Sequence, residues 1–402
     1  MSQPGSPSHR AWLALAVYCT GSFTTMLNLG FLSPLLRPIG ASFGTPDAVT
    51  GQLATISALV TFIAALVATP WMDRWSRVTW YRRLGLLLLV GTLLSAVAPS
   101  FGVLVVARII AALGASVVTA NSLTGARELF PDSVWRNRAI GILVSATTVG
   151  FVLGLPAITQ IAAHFGWRVA VASMAVPVLF MIGGTWLLPP GASPRTSRRQ
   201  PMLLSFRAVL GDGNVRGILV ALGLNLAMYT GWLVYFGAYI TDVFAASAAL
   251  LSTIFFVSGF TELAANNLTP PALRRFAPIP VLLVMLALAG ASLLLTGIVI
   301  TTVPAALVAA IVILNGTAAA YIACNALLLD GEHSHPGAVM SVASAGIGLG
   351  NTLGPALVGW ALAMTGSFES SYRVLGLLAP VAMLSVWLGT RSGRSETGHP
   401  AT

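Results

Sequence analysis

The sequence predicts an all-α membrane protein with twelve transmembrane helices in two pseudo-symmetric six-helix bundles. Three observations predict this fold: an apolar composition, an uneven distribution of arginines between loops, and a glycine motif that occurs once in each half. Of the 402 residues, 56% are hydrophobic and 8% are charged, against about 25% charged residues in ordinary soluble domains. A soluble fold cannot bury that much apolar surface, so we expect the chain to cross a membrane many times.

Apolar segments of the length that crosses a bilayer as a helix, about 20 residues, occur twelve times along the chain. An even number of spans places both termini on the same side of the membrane. The predicted spans are 12–34, 49–70, 84–100, 102–126, 138–163, 167–188, 215–241, 247–268, 278–300, 303–328, 338–364 and 372–390.

All 21 basic residues are arginines, and their positions predict the orientation of the chain. With the N-terminus inside, 17 of them fall in tails and loops on the cytoplasmic side, whereas Arg37, Arg168 and Arg373 fall outside. Cytoplasmic loops of membrane proteins carry an excess of basic residues. The distribution predicts a multi-pass protein of the bacterial inner membrane with both termini in the cytoplasm. It also explains the net charge of +10 without a nucleic-acid partner.

One long polar stretch, between the sixth and seventh spans, divides the chain into two halves. It is rich in proline, serine and arginine, which is typical of a flexible basic tether near anionic lipid. The predicted organisation is a cytoplasmic tail (1–11), an N-terminal six-helix bundle (12–188), a cytoplasmic linker (189–214), a C-terminal six-helix bundle (215–390) and a second cytoplasmic tail (391–402).

A glycine and proline motif occurs at the same place in the fifth and eleventh spans. Glycines four residues apart lie on one face of a helix and let two backbones approach closely, while proline frees the helix to bend. The recurrence predicts a duplicated architecture, which many membrane transporters have. The residues of the two copies, which we expect to act in helix packing, are Gly150, Gly154 and Pro156, and Gly350, Gly354 and Pro355.

The loop after the second span resembles a motif of the major facilitator superfamily, specifically of its twelve-helix drug:proton antiporter and arabinose-efflux-permease branch. Asp73, Arg74 and Arg77 match the family's Gly-x-x-x-Asp-Arg-x-Gly-Arg pattern. Thr69 and Ser76 stand where the pattern has glycines.

Three further stretches carry the same resemblance, which covers essentially the whole chain. Arg108 is similar to the family's membrane-embedded arginine, residues 150–156 resemble the fifth-helix antiporter motif, and Asn28 begins a stretch like the first-helix pattern. The resemblance implies two six-helix bundles around a central cavity that alternates between inward-open and outward-open states. The antiporter motif favours efflux as the direction of transport.

Arg108 is the candidate cavity residue with the strongest physical argument. A charge inside a span costs on the order of 3 kcal/mol or more unless it faces water or a partner. We therefore expect Arg108 to point into the cavity, where it binds a polar or anionic substrate group or acts on a proton site through its field. The alternative is a structural arginine that is hydrogen-bonded to helix carbonyls or to a tyrosine.

Polar and aromatic side chains of two other spans are further candidates for the cavity wall. In the seventh span Asn225, Tyr229 and Trp232 lie at helical spacing, and such a mixed stripe suits amphipathic molecules, although aromatic stripes also pack helices. In the tenth span Tyr321 and Asn325 are one turn apart, and Asn315 lies further out. Such residues alternatively bridge helices through hydrogen bonds worth about 0.6 kcal/mol.

The acidic residues narrow the candidates for a proton site. No Asp or Glu occupies the first span, where Asn28 is another cavity candidate, and none lies near the middle of a predicted span. This argues against a substrate that needs a negative cavity. Glu262 in the eighth span is the deepest of the remaining acids and is therefore the candidate proton site, with a headgroup-facing or loop-facing role as the alternative.

The loop after the second span is expected to act in gating rather than in binding. Asp73 would approach the N-terminus of the eleventh span, where the helix dipole is positive. Arg74 or Arg77 would pair with Glu128 at the cytoplasmic end of the fourth span. These contacts are expected to stabilise the outward-open state and to break on switching.

The predicted function is secondary active transport, with proton-coupled efflux of small neutral, amphipathic or anionic molecules such as drugs or sugars. The alternatives are a nutrient or organic-anion importer and a membrane enzyme that acts on lipid-linked substrates. No nucleotide-binding motif is present, so no cofactor is expected and the proton gradient is the expected energy source. The expected partners are a small-molecule substrate and the lipid bilayer, for a monomeric protein that is not an enzyme.

Overall fold

The computed structural model describes residues 8–68, 76–188, 211–330 and 336–396, and these residues are helical almost throughout. Within these ranges the β-structure consists of one isolated bridge between Thr296 and Ile300. The prediction of an all-α protein is confirmed. Asp73 and Arg74 lie outside the described residues.

The helices follow one another with short connections. In the first half they are α1 (His9–Gly30), α2 (Leu32–Phe43), α3 (Asp47–Ala68), α4 (Arg77–Ala96), α5 (Phe101–Ala115), α6 (Val118–Leu129), α7 (Ser133–Val149), a π-helix (Gly150–Gly154), α8 (Leu155–Phe165), α9 (Trp167–Ser173), α10 (Ala175–Gly184) and a 3₁₀ turn (Thr185–Leu187). In the second half they are α11 (Gly213–Val243), α12 (Ala248–Arg275), α13 (Pro278–Leu294), α14 (Val303–Asp330), α15 (Pro336–Thr365), α16 (Phe368–Gly376) and α17 (Leu378–Glu396).

Ten helical runs among the described residues are long and apolar enough to cross a membrane. The helix α13 is a shorter apolar helix, and α4 occupies the position of the predicted third span. The arginines Arg82 and Arg83 in the first turns of α4 lower its mean hydropathy. The pattern agrees with the twelve predicted spans.

Short polar side chains fix where several helices begin. Ser100 accepts a hydrogen bond from the backbone N–H of Val103, and Ser367 does the same for Ser370. Asp212 accepts from two backbone N–H groups in the first turn of α11. Such caps satisfy N–H groups that have no partner within the helix.

The helices form two compact units. The first is drawn from Met1–Pro46, Ile56–Thr196 and Ala246–Gly259, and the second from Asp47–Thr55, Ser197–Ala245 and Phe260–Thr402.

The two units share a packing scheme. In the first unit α1 packs against α7 and α10, and α4 packs against α5. In the second unit α11 packs against α15 and α17, and α13 packs against α14. These pairs correspond one to one along the chain, as the predicted repeat requires.

The fifth span contains the π-helix Gly150–Gly154 between α7 and α8. The ring of a proline clashes with the carbonyl four residues earlier and removes one backbone donor. For Pro156 that carbonyl belongs to Val152, in the centre of the π-helix. We therefore attribute the widened turn to Pro156.

The eighth span differs from its prediction. The predicted span ends at residue 268, before Pro270 and Pro271, but α12 continues through both prolines to Arg275. Glu262 is consequently near the middle of this helix of 28 residues, not near its end. The expectation that no acid lies near the middle of a span is wrong, because the helix continues past the proline pair.

Candidate functional site

Arg108 is a buried cation in the first unit, with 2% of its surface exposed. Its Nη1 donates to Asn28 Oδ1 at 3.3 Å, and its Nη2 donates to the Asn28 carbonyl at 3.4 Å. Its Cζ lies 4.3 Å from the centroid of the Phe31 ring, and its buried Nε has no hydrogen-bond partner. Within the described ranges no carboxylate forms an ion pair with Arg108. The guanidinium is therefore contacted by two long hydrogen bonds and by one aromatic face.

The end of α1 positions the partners of Arg108. The Asn28 side chain donates through Nδ2 to the Thr24 carbonyl at 3.1 Å, which turns Oδ1 toward the arginine. Phe31 lies at the break between α1 and α2, where it is 4% exposed. The sequence pattern predicted Arg108 and Asn28 separately, and the fold brings them together.

Two asparagines of the second unit have half-satisfied amides in mid-helix. Asn225 on α11 is 1% exposed and donates through Nδ2 to the Thr317 carbonyl at 2.9 Å. Asn315 on α14 donates through Nδ2 to Thr261 Oγ1 at 3.2 Å. The Oδ1 atoms of both amides are buried and have no partner.

Glu262 lies on α12, next to Thr261. Its Oε2 is buried and has no hydrogen-bond partner. Tyr229 of α11 is close enough to interact with it electrostatically. A tyrosine on α11 and a carboxyl group on α12 are thus within electrostatic range of each other in the second unit.

The unpartnered atoms of the second unit are mainly acceptors. The Oδ1 atom of Asn351 on α15 is also buried without a partner, as are Asn214 Oδ1 and the hydroxyls of Thr55 and Tyr239. Buried polar groups are normally hydrogen-bonded, and exceptions indicate a bound water, ion or ligand, or a functional role. Contacts on α11, α12 and α14 link Asn225, Tyr229, Glu262 and Asn315, which we name the acceptor cluster. It is suited to a ligand that brings hydroxyl or N–H donors.

The other predicted cavity residues lie in different surroundings. Trp232 is 2% exposed, and its ring centroid is 4.4 Å from that of Phe236, so it packs within the second unit. Asn325 donates to the Tyr321 carbonyl at 2.8 Å, and Tyr321 is 39% exposed. Among the described residues neither Tyr321 nor Asn325 shows a hydrogen bond to the acceptor cluster.

The ion pair between Arg77 and Glu128 forms at the ends of α4 and α6. Arg77 Nη2 lies 2.5 Å from Glu128 Oε1, and Nε donates to Oε2 at 2.7 Å. Both side chains are partly exposed, at 26% and 45%. The contact is bidentate and lies within the first unit.

The glycine motif of the fifth span faces α1. A Cβ at Gly150 would lie 3.0 Å from Met26 Cβ and 3.0 Å from the Phe23 carbonyl. A Cβ at Gly154 would meet the end of the Leu27 side chain.

The glycine motif of the eleventh span faces α11. A Cβ at Gly350 would run into the Gly223 carbonyl. A Cβ at Gly354 would run into the Ala227 carbonyl and lie 2.8 Å from the backbone nitrogen of Gly231. In both motifs the glycines let two helices of one unit approach closely, as their spacing indicates.

The sequence reasoning missed three residues of these sites. Asn351 was hidden inside the glycine motif, and Thr261 is an ordinary polar residue beside Glu262. Phe31 lies in an apolar run that gives no sign of an arginine partner. A search for every asparagine inside an apolar span would have found Asn351, whereas Phe31 requires the fold.

Membrane-crossing helices in two units, with buried charged and amide groups at mid-helix, define a polytopic membrane transporter. The chain belongs to the Major Facilitator Superfamily, whose sequence model matches residues 18–331. The resemblance described above is confirmed, and the chain is a transporter and not an enzyme.

Curated relatives and solved structures agree with this assignment. A probable sugar efflux transporter of Haemophilus influenzae is 28% identical over 294 residues, 71% of each chain. A chloramphenicol resistance protein of Streptomyces lividans is 29% identical over 239 residues, 57% of each chain. A bacterial homologue of the human lysosomal transporter Spinster has a similar fold, with a TM-score of 0.76, 17% identity and coverage of 99% of this chain and 100% of the other.

Proposed function

We propose that the protein exports small neutral or amphipathic molecules, such as sugars or drugs, in exchange for protons by alternating access. The curated relatives named for sugar efflux and chloramphenicol resistance support the direction and the substrate class. The observation that carries the proton coupling is the carboxyl group of Glu262 at the middle of α12, whose Oε2 atom is buried and has no hydrogen-bond partner.

Glu262 is suited to carry the coupling proton because of its surroundings. An ionised carboxylate is costly to bury without a hydrogen-bonded partner, so its proton exchanges with water only when the surrounding helices open. The neighbouring Tyr229 and the acceptor oxygens of Asn225 and Asn315 would bind a substrate rich in hydroxyl or N–H groups. Proton and substrate would then share one region of the second unit.

Arg108 and Asn28 are the proposed polar contacts of the first unit. The guanidinium is held by the Asn28 side chain and carbonyl while its Nε remains without a partner. A substrate carbonyl or hydroxyl oxygen can accept from that group. Trp232, Tyr321 and Asn325 remain proposed wall residues for other states of the transport cycle, and Asp73, Arg74, Arg77 and Glu128 remain proposed gating residues.

The topology and assembly are part of the same proposal. The arginine distribution supports a bacterial inner-membrane protein with cytoplasmic termini. We propose a monomer without a cofactor, in which bundles 12–188 and 215–390 are the alternating bodies, joined by the linker 189–214.

The test is transport into proteoliposomes that contain the purified chain and carry a pH gradient. Glucose-type sugars, chloramphenicol and organic anions are added, and substrate accumulation is measured together with substrate counterflow, which needs no net proton movement. Glu262→Gln should reduce pH-driven accumulation to the level of empty liposomes but retain counterflow. The matched control is Glu369→Gln near the start of α16, which should behave as the wild type.

Two outcomes would contradict the proposal. Normal pH-driven accumulation by Glu262→Gln would show that Glu262 does not carry the coupling proton. Accumulation of substrate only in the direction in which protons move would make the protein a symporter and therefore an importer.

Arg108→Ala should lose both accumulation and counterflow while the protein remains folded, because it removes a substrate contact rather than the proton site.

A further inference from the structure

An apolar groove on the first unit lies apart from Arg108. It has a volume of about 1290 Å³ and is formed by α1, α7 and α10. Its walls include Leu13, Val17, Ile142, Val149 and Phe180. All three helices belong to runs long and apolar enough to cross a membrane, and exposed apolar side chains such as Phe180 line the groove, which favours contact with hydrocarbon.

The groove has room for a bound chain. Phe180 is 71% exposed and Leu187 is 52% exposed, so they form an outer wall. A Cβ at Gly183 would meet no atom within 4 Å, whereas one at Gly184 would lie 2.6 Å from Val17 Cγ2. Gly183 therefore borders open space, and Gly184 lies where α10 touches α1.

The polar lining offers little to a polar ligand. Thr20 lies in the groove, but its hydroxyl already donates to the Ala16 carbonyl at 2.9 Å. No lining residue carries a charge. A lining that is mainly apolar and carries no charge suits a hydrocarbon chain, which is held by dispersion.

One end of the groove carries a cation framed by two indole rings. Arg138 is one helical turn before Ile142 on α7, and its Cζ lies 6.0 Å from the Trp12 ring and 5.6 Å from the Trp135 ring. The side chain is exposed, and within the described ranges it forms no ion pair or hydrogen bond. Trp12 directly precedes the groove residue Leu13.

Tryptophan and arginine at a helix end are typical of the headgroup level of a membrane. The guanidinium presents several N–H donors and matches the geometry of a phosphate. We propose that the groove of α1, α7 and α10 holds an acyl chain of an anionic phospholipid whose phosphate is bound by Arg138. The lipid belongs to the leaflet on the side of the N-terminus.

The proposal is tested on the full-length protein in lipid nanodiscs. Phosphatidylglycerol with a photoactivatable group in its acyl chain is cross-linked to the protein, and the modified peptides are mapped by mass spectrometry. A phosphatidylethanolamine probe with the same acyl group is compared in parallel. In the wild type, cross-links from phosphatidylglycerol should concentrate in α1, α7 and α10.

Two pairs of variants test the acyl-chain groove and the headgroup contact of the lipid separately. Gly183→Leu fills the groove and should remove the concentrated cross-links. Its control is Gly141→Leu, since Gly141 also borders open space but does not line the groove. Arg138→Gln should lower the preference for phosphatidylglycerol about fivefold, the scale of one basic residue at an anionic surface. Its control is Arg136→Gln, because Arg136 already donates to the Pro131 carbonyl at 3.3 Å.

Three results would overturn the proposal. Cross-links spread evenly over lipid-facing helices would mean ordinary annular lipid. Equal labelling by the two lipids, unchanged by Arg138→Gln, would show that Arg138 does not bind the phosphate of an anionic headgroup. Displacement of the probe by a transported substrate, with cross-links from that substrate in the groove, would identify a substrate path instead. Each variant is first shown to keep the wild-type melting temperature, and Ala146→Leu replaces Gly183→Leu if the latter does not fold.

Discussion

The two glycine interfaces, one in each unit, begin from the same sequence pattern but differ in structure. In the first unit the motif forms a π-helix, and its glycines face the Met26 and Leu27 side chains as well as one carbonyl of α1. In the second unit the motif lies inside the continuous helix α15, and its glycines face backbone atoms of α11. The glycine spacing sets which helices meet, and the local backbone sets how closely they meet.

The position of the proline explains part of this difference. Pro156 lies two residues after Gly154, whereas Pro355 directly follows Gly354. The carbonyl that each proline leaves without its usual partner is on Val152 in one case and on Asn351 in the other. Asn351 also carries an unpartnered Oδ1. The second interface therefore combines the tighter backbone contact with a buried amide oxygen that has no partner.

The largest effect is expected at Gly354. Gly354→Ala places a methyl group against the Ala227 carbonyl and the Gly231 nitrogen, and backbone atoms cannot rotate away as a side chain can. We expect destabilisation of about 3 kcal/mol, at the upper end for overpacking, measured by chemical unfolding in detergent. The control is Gly346→Ala, whose Cβ would lie 3.6 Å from the Leu219 carbonyl, an ordinary contact. Equal stability of the two variants would show that the backbone contact is not tight.

A smaller effect is expected at Gly154. Here the added methyl group meets Leu27 Cδ2, the end of a flexible side chain. We expect Gly154→Ala to cost about 1 kcal/mol, at the lower end for overpacking. In a double-mutant cycle, Leu27→Ala should recover most of that cost, since it removes the opposing group. Additive effects would mean that the methyl group clashes with something other than Leu27.

Pro156→Ala tests the cause of the π-helix. Without the proline an α-helical ladder can form through residues 150–154, which would turn Phe151 away from Phe255, now at a centroid distance of 5.9 Å. With cysteines at 151 and 255 in a background lacking Cys19 and Cys324, the yield of cross-linking by a short bifunctional thiol reagent should fall in Pro156→Ala. Pro355→Ala is the control and should leave that yield unchanged. An unchanged yield in Pro156→Ala would assign the π-helix to the glycines instead.

The smallest effect is expected for the ion pair between Arg77 and Glu128. This partly exposed contact can be compared with the buried glycine interfaces. The pair is bidentate but partly exposed, at 26% and 45%. A double-mutant cycle with Arg77→Gln and Glu128→Gln should give a coupling free energy of about 0.5 kcal/mol that decreases with added salt. Coupling above that of Gly154 and Leu27 would reverse the ranking proposed here.

Much of the fold could be predicted because membrane helices carry strong local signals. Long apolar runs, the arginine distribution and capping residues such as Asp212 depend only on nearby sequence. The candidate site was harder to predict from the sequence. Glu262 was identified, but its depth was not, because α12 continues through Pro270 and Pro271 to Arg275, beyond the predicted end of the span at residue 268.

The sequence by itself determined that this protein crosses the membrane repeatedly, that its two halves are related, and that the glycines of the fifth and eleventh spans face helix partners. Each depends on composition or spacing along one helix. Only the tertiary structure decided that Asn28 and Phe31 contact Arg108 and that Tyr229 comes within electrostatic range of Glu262. It also decided that one glycine motif forms a π-helix and the other an α-helix. These features depend on contacts between residues distant in sequence, whose geometry is set by the packing of several helices at once.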